Sequence, residues 1–223
     1  MGLKIDPSLV NLFPDLQVLV GRVENVTVRS HVAELEAFKG EVIEEIRGSY
    51  SLDTVKDNLT FRAYRAFFWK INVDPTKTRP AAEALIRRVL RGRPLPKINS
   101  LVDAYNLASM KSEIAFAAFD ADELGDSLLM RFAVDGEEFL GIGMAKPMQL
   151  TGSEVVIADS GKLVAIYPYR DAEEAKITQK TRNVLFIACG VPGIDEENLR
   201  LALDLSFKFV TRFCGGAART MVR

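Results

Sequence analysis

Three polar side chains share one face of a predicted helix near the middle of the chain. In the stretch RPLPKINSLVDAYNLASM, residues 93–110, Asn99, Asp103 and Asn106 are spaced by four and then three residues among mostly apolar neighbours. This spacing places them on one side of an α-helix. Amide and carboxylate groups arranged in this way can orient a substrate. They can equally face solvent, cap loops or satisfy backbone groups beneath a sheet, so these interpretations stay open.

A strongly basic segment precedes this helix. Within residues 81–92 the apolar positions fall on one helical face, and three arginines fall on the opposite face. Arginine presents a planar fork of donors that matches phosphate oxygens, so such a face can follow an RNA backbone. An ordinary charged surface helix is the competing interpretation. The RNA-binding candidates are Arg79, Arg87, Arg88, Arg91, Arg93 and Lys97.

The composition is that of an ordinary globular protein. The chain has 223 residues, of which 48% are hydrophobic and 26% charged, and its formal net charge is -1. This balance gives no overall attraction to nucleic acid or to anionic membranes, so recognition must depend on local patches. No apolar run approaches the roughly 20 residues that span a bilayer, and the N-terminus lacks a signal sequence. We expect a cytoplasmic protein with no membrane association.

Several classes of chemistry are disfavoured by what the sequence contains. His31 is the sole histidine and lies among acidic and polar residues, which disfavours a mechanism built on an oriented imidazole. Cys189 and Cys214 are far apart and have no metal-ligand spacing. The segment LGIGMAK, residues 140–146, matches neither a phosphate-binding loop nor a dinucleotide fingerprint. We therefore expect no metal and no cofactor.

The order of predicted elements indicates an α+β fold, with a layered β-sheet core and flanking helices. Pro80 is expected in the first turn of its helix and Gly92 at its end, while Gly48 is expected to stop an earlier helix. Gly161 is expected to adopt a positive φ in a tight hairpin, and Asp195 to cap the last helix. A strand is predicted at 16–28, and helices at 31–47, 53–70, 81–92, 98–110 and 196–213, the fourth of them after a proline-containing joint at 93–97. Further strands are predicted from residue 127 onward, at 127–133, 138–143, 154–158, 162–169 and 183–189. The aromatic row Phe61, Tyr64, Phe67 and Phe68 is predicted to be core.

Four short motifs, taken in order, resemble the tRNA-editing B3/B4 domain of the phenylalanyl-tRNA synthetase beta subunit. They are Val102, Asp103 and Asn106 in a helix; Ala118, Phe119 and Asp120 entering the strands; Val156, Ile157, Ala158 and Asp159 before a hairpin; and Asn183, Val184 and Leu185 in a late strand. The likeness covers about residues 60–190. It predicts a single B3/B4-like domain over 1–223, with a strand–helix extension at about 1–58 and a C-terminal helix at about 195–214.

The resemblance implies a function on aminoacyl-tRNA. In the synthetases this domain hydrolyses tyrosine wrongly attached to the phenylalanine tRNA, and we expect no aminoacylation module beside it here. We therefore expect a solo domain that acts in trans on an aminoacyl-tRNA, or that only binds tRNA. Bacterial synthetases place a histidine and a glutamate at the positions of Ala117 and Ile187, so neither side chain can be carried over.

Deacylation remains chemically open without those two groups, because an aminoacyl ester is labile and needs a positioned water and stabilisation of the oxyanion. In this hypothesis Asn99 and Asn106 orient groups of the substrate, and Asp120 or Glu113 binds its ammonium group. Asp103, Thr178 and Thr181 complete the pocket candidates. The alternatives are a non-catalytic RNA- or amino-acid-binding module, and a small-molecule enzyme or amino-acid sensor. The oligomeric state stays open.

Overall fold

The structure, a computed structural model, describes residues 2–221 and has the α+β architecture that the sequence predicts. Its helices are α1 (Pro7–Leu12), α2 (Ala33–Ser49), α3 (Leu59–Lys70), α4 (Ala81–Leu90), α5 (Ser100–Ser112) and α6 (Glu196–Cys214). Its strands are β1 (Leu3–Ile5), β2 (Leu19–Glu24), β3 (Phe116–Asp120), β4 (Leu128–Phe132), β5 (Glu138–Phe139), β6 (Met148–Gln149), β7 (Val155–Ala158), β8 (Leu163–Ile166), β9 (Arg170–Asp171), β10 (Val184–Ala188) and β11 (Ala217–Met221).

Two sheets form the framework. One has the strand order β1-β4-β7-β8-β9 and the other β11-β2-β10-β3, while β5 and β6 form a separate hairpin. Every neighbouring pair is antiparallel except β1 and β4, which run parallel. The short strand β9 at the edge of the first sheet approaches β3 at the edge of the second. This junction of two sheet edges is where the candidate site lies.

Helices α5 and α6 pack against each other and cover the sheet that contains β2, β3 and β10. Phe186 of β10 makes edge-on contacts with Tyr105 of α5 and Phe207 of α6, at ring separations of 5.8 and 6.2 Å. Gly21 of β2 permits this close packing, because a Cβ there would lie 2.2 Å from the Phe207 ring. The interface is therefore a close-packed core.

The aromatic row of α3 is buried, as predicted. Phe61, Tyr64, Phe67 and Phe68 are each at most 2% exposed. Asn58 begins the helix by accepting hydrogen bonds from the backbone N–H groups of the next turn. Large rings dominate the energetics of burial, and this row anchors α3 through ring contacts with Phe13, Tyr167 and Tyr169.

Some local predictions are wrong. Helix α2 runs through Gly48 to Ser49, and the segment before Asn58 forms only a short 3-10 turn, so the helix predicted at 53–70 begins later. Gly161 does not adopt a positive φ. Instead the Asp159 carboxylate accepts the N–H groups of Gly161 and Lys162, and these side-chain contacts close the turn.

Several elements were not predicted. Strand β3 precedes residue 127, where the β-rich part was expected to begin, and the sequence pattern did not indicate β1, α1 or β11. Strand β3 is rich in alanine, which favours helices, so pairing with β10 rather than local propensity determines its conformation. Among the described residues 2–221, no helix has both the length and the apolarity to span a membrane.

Candidate functional site

A small pocket lies at the junction of β3 and β9, and we call it the β3–β9 pocket. The Ala118 N–H of β3 donates to Oδ2 of Asp171 in β9 at 3.4 Å, and the Asp120 N–H donates at 2.9 Å to the carbonyl of Ala175, in the segment after β9. The pocket has a volume of about 80 Å³. Its wall is formed by Ala81, Phe116, Ala117, residues 165–171 and Cys189.

One residue of the pocket wall, Ala117, occupies a position where the resemblance implies a functional histidine. Ala117 of β3 and Ile187 of β10 are direct partners across the antiparallel pair. Directly paired residues point to the same side of a sheet, and Ala117 is part of the pocket wall. The two positions, 70 residues apart by their numbers, are thus brought together, but both carry apolar side chains here.

Asp171 is the carboxylic acid of the pocket wall, and its pKa lies close to neutral pH. Burial raises the pKa of its carboxyl group from 3.8 to about 7, although the hydrogen bond from the Ala118 N–H opposes the shift. Burial, together with the nearby carboxylates of Asp171 and Asp103, also raises the pKa of Tyr105. A carboxyl group that titrates near neutral pH can both accept and return a proton.

Two buried tyrosines hold the floor of the pocket in place. The Tyr64 hydroxyl donates to the Cys189 carbonyl at 2.5 Å and accepts from the Ala115 N–H at 3.0 Å. The Tyr167 hydroxyl donates to the Gly190 carbonyl. Burial, and the charge of Asp171, raise the pKa of the Cys189 thiol, so this thiol remains protonated at neutral pH and is a poor nucleophile.

Helix α4 connects the pocket with a cluster of arginines. Ala81, its first residue, belongs to the pocket wall. The first N–H groups of a helix lack intrahelical acceptors, so the positive end of the α4 dipole adjoins the pocket. At a rise of 1.5 Å per residue, the chain reaches Arg91 about 15 Å further along.

The arginine cluster surrounds a cavity of about 300 Å³ formed by Ala84, Leu85, Arg88, Arg91, Arg93 and Pro96. Arg88 is half-buried and its Nε donates to the Pro94 carbonyl, while Arg91 and Arg93 are exposed. We call Arg88, Arg91 and Arg93 the arginine cluster. Guanidinium groups converging on an open cavity form a suitable environment for an anion such as a phosphate.

The other basic candidates do not join this cluster. Arg87 makes an ion pair of 2.6 Å with the buried Glu83, which also accepts two hydrogen bonds from Arg65. Burial alone would raise the pKa of Glu83, but the hydrogen bonds from both arginines lower it below its usual value. Arg79 is half-buried, and the exposed Lys97 lies 3.3 Å from Glu36. Arg87 therefore faces a buried carboxylate and not solvent, contrary to the helical prediction.

The polar line of α5 lies elsewhere. Asn99 caps the helix by accepting the N–H groups of Leu101 and Val102. Asp103 is buried, and its Oδ2 lies 2.6 Å from Nζ of Lys39. Asn106, about one helical turn after Asp103 in α5, is half-buried. Asn99 and Asp103 therefore hold elements of the fold together.

The remaining pocket candidates also bind other groups of the protein. Glu113 accepts hydrogen bonds from the Tyr50 hydroxyl and from the Asn58 amide. Thr181 donates to Oδ2 of Asp120 at 2.6 Å, and both side chains are buried. The wall of the β3–β9 pocket is formed by a different set of described residues.

Sequence reasoning missed Asp171. It is one of three carboxylates in the segment YPYRDAEE, and no spacing distinguishes it from the two that follow. Its environment depends on β3, which was not predicted as a strand. Within residues 2–221, no group of three or more His, Cys, Asp or Glu side chains is placed to bind a metal ion.

Comparisons with known proteins define the class. A family model described as the B3/4 domain matches residues 63–215 of this chain. The chain therefore belongs to the B3/4 domain family. This match includes β3, β9, β10 and α4, and hence both the β3–β9 pocket and the arginine cluster.

Individual relatives are phenylalanine–tRNA ligase beta subunits. The chain is 26% identical over 244 aligned residues to that of Rhodopseudomonas palustris, covering 97% of this chain and 30% of the relative. It is 35% identical over 107 residues to the beta subunit of Geobacter metallireducens, and this match covers 48% of this chain and 13% of the relative. The chain thus spans less than a third of these curated relatives.

A solved structure has the same fold. It is an N-terminal fragment of the phenylalanyl-tRNA synthetase beta-subunit from Pyrococcus horikoshii, with a TM-score of 0.52 and 16% identity. The match covers 97% of this chain and 50% of the other. The similarity therefore extends over nearly all of the chain.

Proposed function

We propose that this protein binds aminoacyl-tRNA and hydrolyses its ester bond at the β3–β9 pocket. The observation that carries the proposal is Asp171, a carboxyl group with a pKa of about 7 in the wall of a pocket that also contains Ala117. By resemblance, that position carries a functional side chain in the editing domains. In this proposal Asp171 transfers the proton in place of the missing histidine.

In the proposed reaction the ionised Asp171 accepts a proton from a water molecule, whose oxygen attacks the ester carbonyl carbon. The bond between that carbon and the ribose oxygen then breaks, and the proton on Asp171 is transferred to the ribose oxygen. The products are a free amino acid and an uncharged tRNA. A pKa near the working pH suits a group that must both accept and donate the proton.

The start of α4 supports the negative charge that develops on the carbonyl oxygen. Ala81 lies in the pocket wall at the positive end of the helix dipole. Preorganised N–H groups directed at a developing oxyanion stabilise the transition state more than the ground state. The side chains of Tyr64 and Tyr167 keep the pocket floor fixed while this charge forms.

The arginine cluster supplies the RNA contact in this proposal. A tRNA whose aminoacylated end enters the β3–β9 pocket would bring backbone phosphates over α4, toward guanidinium groups about 15 Å away. Arg91 and Arg93 are exposed and free to approach such phosphates. Because phosphate binding releases counterions, this contact predicts an affinity that falls with salt.

A panel of aminoacyl-tRNAs tests the hydrolysis. Wild-type protein should accelerate deacylation of at least one of them over buffer, and Asp171→Asn should reduce that rate by about 100-fold or more. Asp135→Asn, at an exposed position outside the pocket, is the matched control and should keep the wild-type rate. Absence of acceleration for every aminoacyl-tRNA would refute the deacylase. Salt-dependent binding of uncharged tRNA would then favour a non-catalytic module, and stabilisation by free amino acids alone would favour a sensor.

Salt titration tests the RNA contact. Arg91→Ala combined with Arg93→Ala should weaken tRNA binding and reduce the slope of log affinity against log salt by about 1.4 to 1.8. The matched control is Lys70→Ala combined with Lys208→Ala, which removes two exposed cations from α3 and α6. Equal slopes for the two double variants would contradict the assignment of the arginine cluster.

A further inference from the structure

We propose that the β3–β9 pocket selects aminoacyl esters with small uncharged side chains, of the size of alanine or serine, and rejects tyrosyl and phenylalanyl esters. This inference rests on the proposed function, because it names the substrate class of the same pocket. It differs from what the resemblance implies, since the synthetase domain acts on tyrosine. Three features of the pocket support it, namely its volume, the rigidity of its walls and the chemistry of their side chains.

The volume sets the upper limit. The pocket has about 80 Å³, whereas an apolar cavity that binds one benzene molecule has about 150 Å³. The attacking water must share this space with the substrate side chain. The pocket therefore suits the side chains of alanine and serine and is too small for the ring of tyrosine or phenylalanine.

The walls are held by contacts that resist expansion. Tyr167 is fully buried and packs edge-on against Phe67 at a ring separation of 6.2 Å. Tyr169 packs against Phe68 at 5.8 Å. On the opposite side, Cys189 is fixed through its carbonyl by Tyr64. Widening the pocket would break these contacts, and close-packed interiors do not yield easily to added volume.

The chemistry of the walls also disfavours a phenol. Besides Asp171 and Arg170, the wall consists of apolar and aromatic side chains. Ile187, which pairs with Ala117 across the sheet, is apolar, fully buried and outside the wall, so it provides no acceptor for a tyrosine hydroxyl where, by resemblance, the editing domains carry a glutamate. A buried hydroxyl without a partner lowers affinity strongly. A methyl or hydroxymethyl group meets the small Ala117 and Ala165 surfaces without this loss.

Deacylation rates of alanyl-, seryl-, phenylalanyl- and tyrosyl-tRNA test the inference on the intact wild-type protein. The first two should be hydrolysed at least about 100-fold faster than the last two, since even a single misfitting methylene can change specificity by 10- to 200-fold. Phe116→Ala, which removes a half-buried ring from the wall, should raise the rate on the aromatic substrates at least about tenfold. Phe132→Ala removes a half-buried ring of β4 outside the pocket and should leave the preference unchanged.

A substitution that fills the β3–β9 pocket should lower the rate of hydrolysis. Ala117→Val occupies the remaining space and should slow hydrolysis of alanyl-tRNA by about 100-fold. Wild-type hydrolysis of tyrosyl- or phenylalanyl-tRNA at a rate equal to or above that of alanyl-tRNA would overturn this inference and leave the proposed function standing. No hydrolysis of any of the four, or of any other aminoacyl-tRNA, would overturn both. If Ala117→Val fails to fold, the wild-type rates and the Phe116→Ala change still decide the question.

Discussion

Asp171→Asn is expected to stabilise the folded protein above about pH 7 while it abolishes ester hydrolysis. The pKa of the Asp171 carboxyl is 3.8 in its ordinary environment and about 7 in the folded protein, because burial disfavours the ionised form. The folded state therefore binds this proton more tightly than the unfolded state. The associated stability is complete below the lower pKa and is lost as the pH rises through the higher one.

The size of the effect follows from the two pKa values. Each pKa unit corresponds to about 1.4 kcal/mol, so the difference amounts to about 4 kcal/mol once the carboxylate is ionised in both states. Asp171 is not fully enclosed, and solvent screening reduces this value. We expect the free energy of unfolding of the asparagine variant to exceed that of the wild type by about 2 kcal/mol. Its amide oxygen can still accept the Ala118 N–H, so the link between the sheets is kept.

Urea unfolding of the wild type and the variant, followed from about pH 4 to about pH 8, measures the free energy of unfolding of each. The difference should be small at the acidic end, grow through neutral pH and level off above about pH 7. Asp135→Asn should match the wild type at every pH, because that residue is exposed. A difference that does not vary with pH, or a variant less stable than the wild type at alkaline pH, would refute the reasoning about Asp171.

Three further substitutions test the framework of the site by urea unfolding, each against the wild type. Asp103→Ala leaves the buried ammonium of Lys39 without this partner, and should lower the free energy of unfolding by about 3 kcal/mol; no loss would mean that the pair contributes nothing to stability. Tyr64→Phe removes a hydroxyl that serves two buried backbone groups and should lower it by about 2 kcal/mol, whereas a neutral result would indicate that water replaces the hydroxyl. Gly21→Ala places a methyl group against Phe207 and should lower it by about 1 to 3 kcal/mol, and a stable variant would show that α6 can shift.

Local sequence patterns were sufficient to predict most helices. The α6 N-cap, Asp195, accepts the Asn198 N–H as its sequence position suggested. The end of α4 lies next to Gly92, which has a positive φ. The aromatic row of α3 was correctly predicted to be buried. These features depend on residues within a few positions of one another, which is the range that periodicity and capping describe.

The pocket depends on contacts that local patterns cannot describe. Strand β3 is defined by its pairing with β10, and Asp171 acquires its raised pKa only because β3 and its neighbours enclose it. The polar line of α5 is a similar case. Its spacing predicts a shared face, but the partner of Asp103 is Lys39, 64 residues away on another helix. Spacing therefore identified a polar helical face without identifying its contacts.

The hydrogen bond between the Ala118 N–H and Asp171 has an evolutionary consequence. The carboxyl group assigned to hydrolysis also joins the two sheets, so a lineage that no longer needs the reaction still needs an acceptor at this position. Asparagine provides one, removes the burden of a buried charge and is reached from aspartate by a single base change. Relatives that have lost the activity should therefore carry asparagine in place of aspartate at this position. An apolar residue there would leave the Ala118 N–H without an acceptor.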